Sequence, residues 1–562
     1  MIIYDFEVFS YDWLICWLDT ETRKLHHIIN NKEQFEKMYN HYKNTVWIGY
    51  NSRNYDQWVS KAILCDFDPK EMNDWIIKKD RKGYEFSKLL NSFPILNYDC
   101  SVGFRSLKEL EAFMGHDIRE TSVPFDIDRK LTPKEIEETL KYCKHDVMET
   151  FHVFVETKQE WESHVGLIKE FNLPLAGISK TKAQLSAMIL GAVKKPHDDE
   201  FDIIIPKTLH LDKYSFLIDH YLSWSKNSKN YEEISLECNV AGVPHTFGAG
   251  GAHGAIPHYF GEGIYVMADV DSYYPACMIE YDLLSRNVRD KKKFKTIRDE
   301  RIRMKAAKDS RQQPRKIVLN GTFGASKDKY NNLYDPRQAN NICIHCQLFI
   351  VDLIEKIEGK FELIQTNTDG ILCKLEKIED LEEFKRICKE WETRTGFTLG
   401  FDIYNKVIQR DVNNYILVDS EGHLKRKGAV VKKLSKLDND LPIVNKAVVD
   451  YFVYNIPVEK TIMECDELIM FQKITKISRK YEYGIHNGKI LNERVHRCFA
   501  SNDPYDGVLY KKKIDKDTPD KTAGTPEHCF IYNDDVLNTP IPAKLDKQWY
   551  IDNAKEKISK FI

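Results

Sequence analysis

Two hydrophobic segments of this 562-residue chain each run directly into an acidic turn. Residues 263–268, GIYVMA, lead into Asp269, and residues 361–365, FELIQ, lead into TNTDG with Asp369. Short apolar runs that end in turn residues predict buried strands. A strand ending on a carboxylate can hold a divalent cation, because Mg²⁺ prefers oxygen ligands. Two such strands can hold a pair of cations, which is the arrangement used in in-line phosphoryl transfer.

Each of these features, taken alone, has an ordinary explanation. An aspartate after an apolar strand is most often a turn or helix-capping residue. Lys316 and Asn320 are four residues apart on a predicted helix and would usually lie on a solvated face. The combination, in a fixed order along the chain, is what calls for a functional interpretation.

Three short motifs, in one order, resemble those of a known family. Residues 269–275, DVDSYYP, resemble motif A of family B DNA polymerases, DxxSLYP. Residues 316–324, KIVLNGTFG, resemble motif B, KxxxNSxYG. Residues 366–370, TNTDG, resemble a degraded form of motif C, YxDTDS. One such motif is weak evidence, whereas three in the family's order are specific.

The resemblance implies a DNA-dependent DNA polymerase site. Asp269 and Asp369 would hold two Mg²⁺ or Mn²⁺ ions, with Val270 as a further metal contact, for nucleotidyl transfer to a primer. Tyr274 matches the position whose ring excludes a ribose 2′-hydroxyl. The expected dNTP-binding residues, two from motif B and two from helical spacing alone, are Lys316, Asn320, Arg301 and Lys305.

The resemblance is incomplete in motif C and beyond it. Asn367 stands where the family has its first aspartate, and Gly370 replaces a serine. Asn367 can form hydrogen bonds but adds no negative charge. We expect the site to be active because the second aspartate is retained. Residues 413–415, NNY, resemble the family's KxY element without its lysine, and the expected primer-end contacts are Tyr415 and Lys427.

A second set of acidic residues lies in the first 150 residues. Residues 2–8 predict a strand in which Asp5 and Glu7, two apart, share a face. Thr132 followed by Pro133 predicts the start of a helix. The other members of the set are Asp56, in NSRNYD, and Tyr142 and Asp146, which are four apart on that helix.

These DxE, NxxxYD and YxxxD patterns resemble the three motifs of DEDD-type 3′→5′ proofreading exonucleases of the tyrosine-bearing subclass. The resemblance implies an RNase H-like domain that hydrolyses mispaired primer ends with two Mg²⁺ ions. In that domain Tyr142 would orient the attacking water, and the ligands of the ions would be Asp5, Glu7, Asp56 and Asp146.

Two segments leave a structural role and a DNA contact equally open. Residues 106–108, SLK, are either a simple helix start or a contact to single-stranded DNA. Residues 247–254, FGAGGAHG, are either a tight hairpin turn or a close backbone approach to the template strand. The expected DNA contacts of the two regions are Asn51, Tyr55, Ser106, Leu107, Gly250 and Gly251.

The charge distribution, rather than the net charge of −3, indicates a nucleic-acid partner. Residues 286–316 contain fourteen Lys or Arg against four acids, and residues 423–436 contain six against none. Such segments can neutralise phosphates. A solvated helix face is the common alternative for a charge run, but the first segment leads directly into motif B.

Cysteine usage and hydropathy bear on the cellular setting. Thirteen scattered cysteines predict free thiols in a reducing compartment. Cys343 and Cys346 are expected on a buried helix face rather than in a zinc site. We find no apolar run near the roughly 18 residues that a membrane span needs. The chain enters a strand at once, so no secretory signal is expected.

The expected fold class is an α/β and α+β multidomain protein, with an RNase H-like exonuclease domain and a right-hand polymerase. The expected ranges are 1–155 for the exonuclease, 156–240 for a connecting or amino-terminal palm-associated region, 241–285 and 326–430 for the palm, 286–325 for the fingers, and 431–562 for the thumb.

The intervals between the motifs leave no room for the insertions of protein-primed family members. We therefore expect extension of an ordinary primer-template DNA with dNTPs, and no membrane partner. Helicase, single-strand-binding or processivity proteins would assist. The small size indicates a phage or mobile-element enzyme in a bacterial cytoplasm. Two rivals are an exonuclease with an inactive polymerase half and a non-catalytic binding scaffold.

Overall fold

The chain forms two compact units. The computed structural model describes residues 1–224, 234–491 and 493–562. Both units contain helices and sheets, which confirms the mixed α/β multidomain class. The six finer domain ranges stay predictions. Unit 1 comprises Met1–Lys180, Leu434–Ala447 and Pro457–Ala554, and unit 2 comprises Thr181–Lys433, Val448–Ile456 and Lys555–Ile562.

The first segment of unit 1 is built on a five-stranded sheet. Its helices and strands are β1 (Ile2–Val8), β2 (Trp13–Asp19), β3 (Lys24–Ile29), α1 (Lys32–Tyr42), β4 (Trp47–Gly49), α2 (Asp56–Leu64), α3 (Pro69–Ile77), α4 (Lys88–Ser92), β5 (Asn97–Asp99), α5 (Leu107–Met114), α6 (Pro133–Glu156) and α7 (Lys158–Glu170). The strand order is β3-β2-β1-β4-β5, with β1 antiparallel to β2 and parallel to β4.

Helix α6 begins where the sequence predicts it. The Glu135 backbone N–H donates to Thr132 Oγ1 at 3.3 Å, and the Thr132 N–H donates to Glu135 Oε2 at 2.8 Å. This capping box satisfies donors that a helix start would otherwise leave unpaired. Pro133 occupies the first helical position, where its missing N–H costs nothing. The helix then packs across β1 and β2.

Unit 2 is built on a nine-stranded sheet with helices around it. Its helices and strands are α8 (Lys182–Ile189), α9 (Phe216–Leu222), β6 (Leu236–Val240), β7 (Val243–Phe247), β8 (His253–Ala255), β9 (Tyr259–Val270), α10 (Tyr273–Glu280), α11 (Lys291–Ala306), α12 (Gln312–Lys327), α13 (Pro336–Ile357), β10 (Glu362–Asn367), β11 (Gly370–Leu375), α14 (Asp380–Thr395), β12 (Leu399–Asp411), β13 (Asn414–Val418) and β14 (Leu424–Lys427). The strand order is β14-β13-β12-β9-β11-β10-β8-β7-β6.

Strand β9 is an interior strand of this sheet, between β12 and β11. Strands β10 and β11 form a tight antiparallel hairpin in which Asn367 pairs with Gly370. Gly370 also pairs with Asp269 of β9. The register therefore places the acidic end of β9 beside the turn that follows β10. Cys343 and Cys346 lie buried on α13, as expected, and all thirteen cysteines are free thiols.

The remaining residues form small sheets and helices. Their helices and strands are α15 (Pro442–Tyr454), α16 (Val458–Met463), β15 (Lys473–Lys476), β16 (Tyr481–His486), β17 (Lys489–Leu491), β18 (Val495–Ala500), β19 (Tyr510–Lys513), β20 (Asp520–Lys521), β21 (Cys529–Ile531) and α17 (Lys547–Phe561). The strand orders are β15-β18-β21 and β17-β16-β19-β20. Among the described residues, no helix combines the length and apolar character that crossing a membrane requires.

Candidate active sites

Unit 1 gathers the four predicted acids into one place, which we call the carboxylate cluster (Asp5, Glu7, Asp56 and Asp146). Strand β1 contributes the first two, α2 begins with Asp56, and α6 carries Asp146. Asp56 is held against the strand because the Phe6 N–H donates to its Oδ1 at 3.2 Å. All members except the half-buried Asp5 are buried.

Burial and mutual repulsion raise the pKa of every carboxyl in the cluster. Burial raises the pKa of Asp56 to about 7, and the charges of Asp99 and Asp146 add to the effect. Burial likewise raises the pKa of Asp146 to about 6. The pKa values of Asp5 and Glu7 lie well above their usual range for the same reasons. Hard oxygen donors whose negative charges need compensation are a ligand set that suits Mg²⁺ or Mn²⁺.

A buried lysine supplies part of that compensation. Lys108 Nζ lies 2.5 Å from Asp146 Oδ1 and 2.9 Å from Glu111 Oε1. Burial opposes the ammonium charge, but these two carboxylates outweigh burial and raise the pKa of Lys108. Its Nζ also lies 4.7 Å from the centre of the Tyr142 ring. The predicted tyrosine is thus part of the same site.

Sequence reasoning did not assign a role in the acid set to Lys108 or Glu111. The signal was present in Ser106-x-x-Glu109, which is a capping-box pattern. A helix starting there places positions 108 and 111 three apart on one face. In the structure the Ser106 N–H donates to Glu109 Oε2 at 2.8 Å and α5 begins at the next residue.

The predicted DNA contacts of unit 1 lie around this cluster with local structural partners. Ser106 caps α5 and Leu107 is its first residue, so the helix start is present; a DNA contact there stays a prediction. Asn51 is exposed in a left-handed conformation, with φ of 56°, and its N–H donates to Asp99 Oδ1 at 3.0 Å. The Tyr55 hydroxyl donates to Asn73 Oδ1 at 2.8 Å.

In unit 2 one predicted aspartate lies on a strand and the other in the turn of the neighbouring hairpin. Asp269 is near the end of β9, and Asp369 is in the turn between β10 and β11. The Val270 N–H donates to the backbone oxygen of Asp369 at 2.7 Å. Burial raises the pKa of Asp269, and the charge of Asp369 adds to this, while Lys425 opposes it. The two aspartates, brought together by this backbone contact, form a second donor set that suits a hard cation.

Gly370 has a steric reason to replace the serine of the resembled motif. A Cβ atom placed at this position would lie 2.0 Å from Asp269 Oδ1 and 2.7 Å from the Ala268 backbone oxygen. Real Cβ atoms do not approach that closely. The side-chain position of Asp269 in this chain therefore depends on glycine at 370.

A cavity of ≈ 310 Å³ opens beside Asp369. Four of the five residues predicted to bind the nucleotide line it, whereas Lys305 does not. Lys305 Nζ lies instead 3.5 Å from Asp271 Oδ1 on an exposed surface. The cavity is lined by Val270, Ser272, Tyr273, Tyr274, Pro275, Arg301, Lys316, Asn320, Phe323, Thr368 and Asp369.

Two helices supply the polar wall of the cavity. Helix α12 starts at Gln312, four residues before Lys316, so this lysine lies in the second turn rather than at the helix start. Arg301 of α11 donates through Nη1 to Ser272 Oγ. Its Nε is buried and has no hydrogen-bond partner in the part of the chain that the structure describes. A buried, unpaired cationic donor beside a cavity is suited to an anion such as a phosphate.

Aromatic residues form another part of the cavity lining. The Tyr274 and Phe323 ring centres are 4.2 Å apart, with the planes tilted by 39°. Tyr274 belongs to the first turn of α10, and Phe323 follows Lys316 on α12 by about two turns. The ring of Tyr274 is thereby fixed by packing where it can limit the size of a ligand.

The other predicted DNA contacts of unit 2 border the aspartates. Residues 248–252 connect β7 to β8, so the hairpin turn is present; a template contact there stays a prediction. A Cβ at Gly251 would lie 2.4 Å from Thr368 Oγ1, whereas Gly250 faces open space. Tyr415 is buried on β13 and pairs with Lys427 of β14.

Part of the basic segment 286–316 is neutralised within unit 2. Arg298 lies 3.1 Å from Glu280, and Arg315 lies 2.7 Å from Glu300. Arg286 forms ion pairs with both Asp199 and Asp335. The segment's formal charge therefore overstates what it can offer to a phosphate backbone.

Comparison with known proteins gives a distant structural similarity. No protein-family model matches the chain, and neither does any curated protein. Among solved structures, the family B DNA polymerase from the hyperthermophilic archaeon Pyrobaculum calidifontis is similar with a TM-score of 0.43 and 13% identity, over 100% of this chain and 77% of that one. A likeness at this level carries no argument about activity.

Proposed function

We propose that the protein is a DNA-dependent DNA polymerase of the family B type with a 3′→5′ proofreading exonuclease. The observation that carries this proposal is the cavity of unit 2. There, Lys316, Asn320 and Tyr274, from two motifs far apart in sequence, surround one space beside Asp369. These residues are the ones that the motif resemblance assigns to the incoming nucleotide.

Different residues of the cavity bind different parts of the nucleotide. Lys316 and Arg301 place positive charge where a triphosphate would gain negative charge in the transition state. Tyr274, packed on Phe323, closes the space next to the sugar and excludes a 2′-hydroxyl. Asn320 lies one helical turn after Lys316. It contacts the nucleotide near the sugar and the phosphates.

The aspartate pair of unit 2 and the carboxylate cluster of unit 1 are the proposed metal-binding sites. Asp269 and Asp369, with the Val270 backbone, would hold ions in unit 2, and the carboxylate cluster would hold ions in unit 1. When bound, two Mg²⁺ ions lower the pKa of the attacking oxygen and stabilise the leaving oxygen. Tyr142 orients the attacking water in the nuclease, while Lys108 fixes the position of Asp146.

The sheet topologies support the corresponding domain assignment. An antiparallel β3-β2-β1 ladder continued by parallel β4 and β5 supports an RNase H-like nuclease at 1–155. The central sheet with its two aspartates supports a palm at 241–285 and 326–430. The antiparallel helices α11 and α12 support fingers at 286–325. Residues 156–240 would connect the domains, and 431–562 would form the thumb.

The partners follow from this chemistry. The substrates are primer-template DNA and dNTPs. The two basic segments, residues 286–316 and 423–436, help to bind the DNA. Replication of a phage or mobile element in a bacterial cytoplasm, with helicase, single-strand-binding or processivity proteins, completes the proposal.

An exonuclease with an inactive polymerase half is the second candidate. Asn367 favours it, because this residue places an amide where the resembled motif has a carboxylate. The Asn367 Nδ2 donates to Gln365 Oε1 at 3.1 Å and does not add charge to the site. A nuclease of this kind would trim DNA ends without extending them.

Primer extension with Mg²⁺, with and without dNTPs, tests both candidates. Wild-type protein should extend a primer with dNTPs and shorten it without them. Asp269→Asn should reduce extension more than about 100-fold and leave degradation intact. The double variant Asp5→Ala, Glu7→Ala should do the reverse. Glu379→Gln, at an exposed acid of unit 2, is the matched control and should retain both activities.

The outcomes separate the candidates. Degradation without extension by the wild-type protein would replace the first proposal with the second. Absence of both activities, or loss of both in Asp269→Asn with a native circular dichroism spectrum, would contradict two independent active sites.

A further inference from the structure

A cluster of two histidines and one glutamate lies in unit 1 and has no role in the activities proposed above. His116 Nδ1 lies 2.7 Å from Glu149 Oε2, and His152 Nδ1 lies 3.2 Å from Glu149 Oε1. One ligand atom from each of the three residues lies within 4.8 Å of the others. Glu149 is buried, whereas both histidines are partly exposed. The nuclease and polymerase proposals use none of the three.

The three side chains are positioned by well-fixed backbone. Glu149 and His152 are three apart on α6 and therefore share a face. His116 follows Gly115, whose left-handed φ of 85° ends α5. The Val536 N–H donates to the Gly115 oxygen at 2.9 Å.

Both backbone polar groups of His116 form hydrogen bonds. Its N–H donates to the Glu111 oxygen at 3.1 Å. Its backbone oxygen accepts from Nη2 of the buried Arg497 at 2.8 Å. A ligand set held this firmly loses little conformational entropy when an ion binds.

We propose that His116, Glu149 and His152 bind a transition-metal ion of the Zn²⁺ class. Two imidazoles and one carboxylate are a donor set that proteins use for Zn²⁺. The carboxylate cluster, in contrast, offers oxygen donors suited to Mg²⁺. The side chain of His152 is 40% exposed and that of His116 is 24% exposed, which leaves an open side for a water ligand.

The ion would join two parts of unit 1 that are separated along the chain. One is the turn after α5, the helix that carries Lys108 and Glu111. The other is α6, which carries Tyr142 and Asp146 in the turns before Glu149. Binding to the folded state alone raises stability by mass action. Stabilisation by the ion would therefore not depend on the proposed catalytic activities.

Metal-binding measurements on the full chain test this site. Protein stripped with EDTA is titrated with Zn²⁺ in excess Mg²⁺, which occupies the oxygen-donor sites, and binding is followed by calorimetry. We expect one Zn²⁺ per chain and a higher melting temperature. Co²⁺ at the same site should give the visible absorption of a nitrogen-containing, low-coordinate complex.

Three variants and one control make the test specific. His116→Ala and His152→Ala should each weaken Zn²⁺ binding by at least about tenfold and lose the rise in melting temperature. Glu149→Gln retains hydrogen-bonding groups for the imidazoles, so it should stay folded and still bind Zn²⁺ poorly. His41→Ala, at an exposed histidine of α1, should bind Zn²⁺ like the wild type.

Two results would overturn the proposal. One is that wild-type protein binds no Zn²⁺ in excess Mg²⁺. The other is that folded Glu149→Gln and both histidine variants bind it as His41→Ala does. In either case the cluster is a network of hydrogen bonds only.

Discussion

Lys425 Nζ on β14 lies 3.2 Å from Asp269 Oδ2 on β9, across two intervening strands of the same sheet. This lysine counteracts the effect of burial on the aspartate. The motif resemblance lacks the lysine of the KxY element, where this chain has Asn413, and assigns no role to Lys425. The structure places an ammonium group beside the acid from a different strand.

Replacing Lys425 with Ala should move the acid limb of primer extension to higher pH. Without the ammonium group, burial and Asp369 raise the pKa of Asp269 further, so this carboxylate ionises later as the pH rises. Extension rates measured across pH with saturating Mg²⁺ check this. Lys406→Ala, which removes a lysine of β12 that pairs with Glu262 at 3.3 Å, is the control. An acid limb identical in the two variants would contradict the assigned role.

Gly370→Ala should impair extension severely while leaving the nuclease active. The added methyl group would overlap Asp269 Oδ1 and displace that carboxylate. We expect a loss of about 100-fold or more in extension rate. Gly400→Ala is matched, since this glycine pairs with the same aspartate but its added Cβ would meet its nearest atom at 3.8 Å. Equal rates for the two variants would show that Asp269 tolerates displacement.

Tyr274→Ala should admit ribonucleotides. Removal of the ring opens the wall that Tyr274 and Phe323 form in the cavity. The ratio of dNTP to rNTP incorporation, compared under single-turnover conditions, should fall by at least about tenfold. Tyr330→Ala removes an 80% exposed ring from the same unit and should leave the ratio unchanged. If both variants keep wild-type sugar selectivity, another residue sets it.

In metal-free protein, the contribution of the carboxylate cluster to stability should fall as the pH rises from about 4 to about 7. The pKa of Asp56 is about 7 and that of Asp146 about 6 in the folded state, against 3.8 as ordinary values. Between these limits the folded state keeps protons that the unfolded chain has released, so each increase in pH favours unfolding. Above the higher pKa the loss is complete.

Melting temperatures in EDTA across this range measure the effect. Asp56→Asn should flatten the slope, whereas the exposed Asp80→Asn should not. Added Mg²⁺ should stabilise the wild type more above pH about 7 than below about 5. A pH dependence of the melting temperature that Asp56→Asn leaves unchanged would contradict the buried, proton-retaining cluster.

Local patterns predicted much of both candidate sites. Two-residue periodicity predicted the shared face of Asp5 and Glu7, and the Thr132 cap predicted the helix that carries Asp146. The contacts of Lys425 with Asp269 and of Lys108 with Asp146 could not be predicted in this way, because they depend on sheet register and on packing between distant segments. Helical spacing alone gave Arg301 and Lys305 equal weight. Packing separates them, since only the arginine lines the cavity.

Arg497 is wholly buried, and its guanidinium donates to the backbone oxygens of Ala112 and His116, nearly four hundred residues earlier. The end of α5 therefore cannot acquire its final hydrogen bonds until most of the polypeptide has left the ribosome. Late-arriving strands of this kind delay the completion of a domain during synthesis. A chain released before β18 would carry every acid of the amino-terminal cluster and still lack the support on which that end of α5 rests.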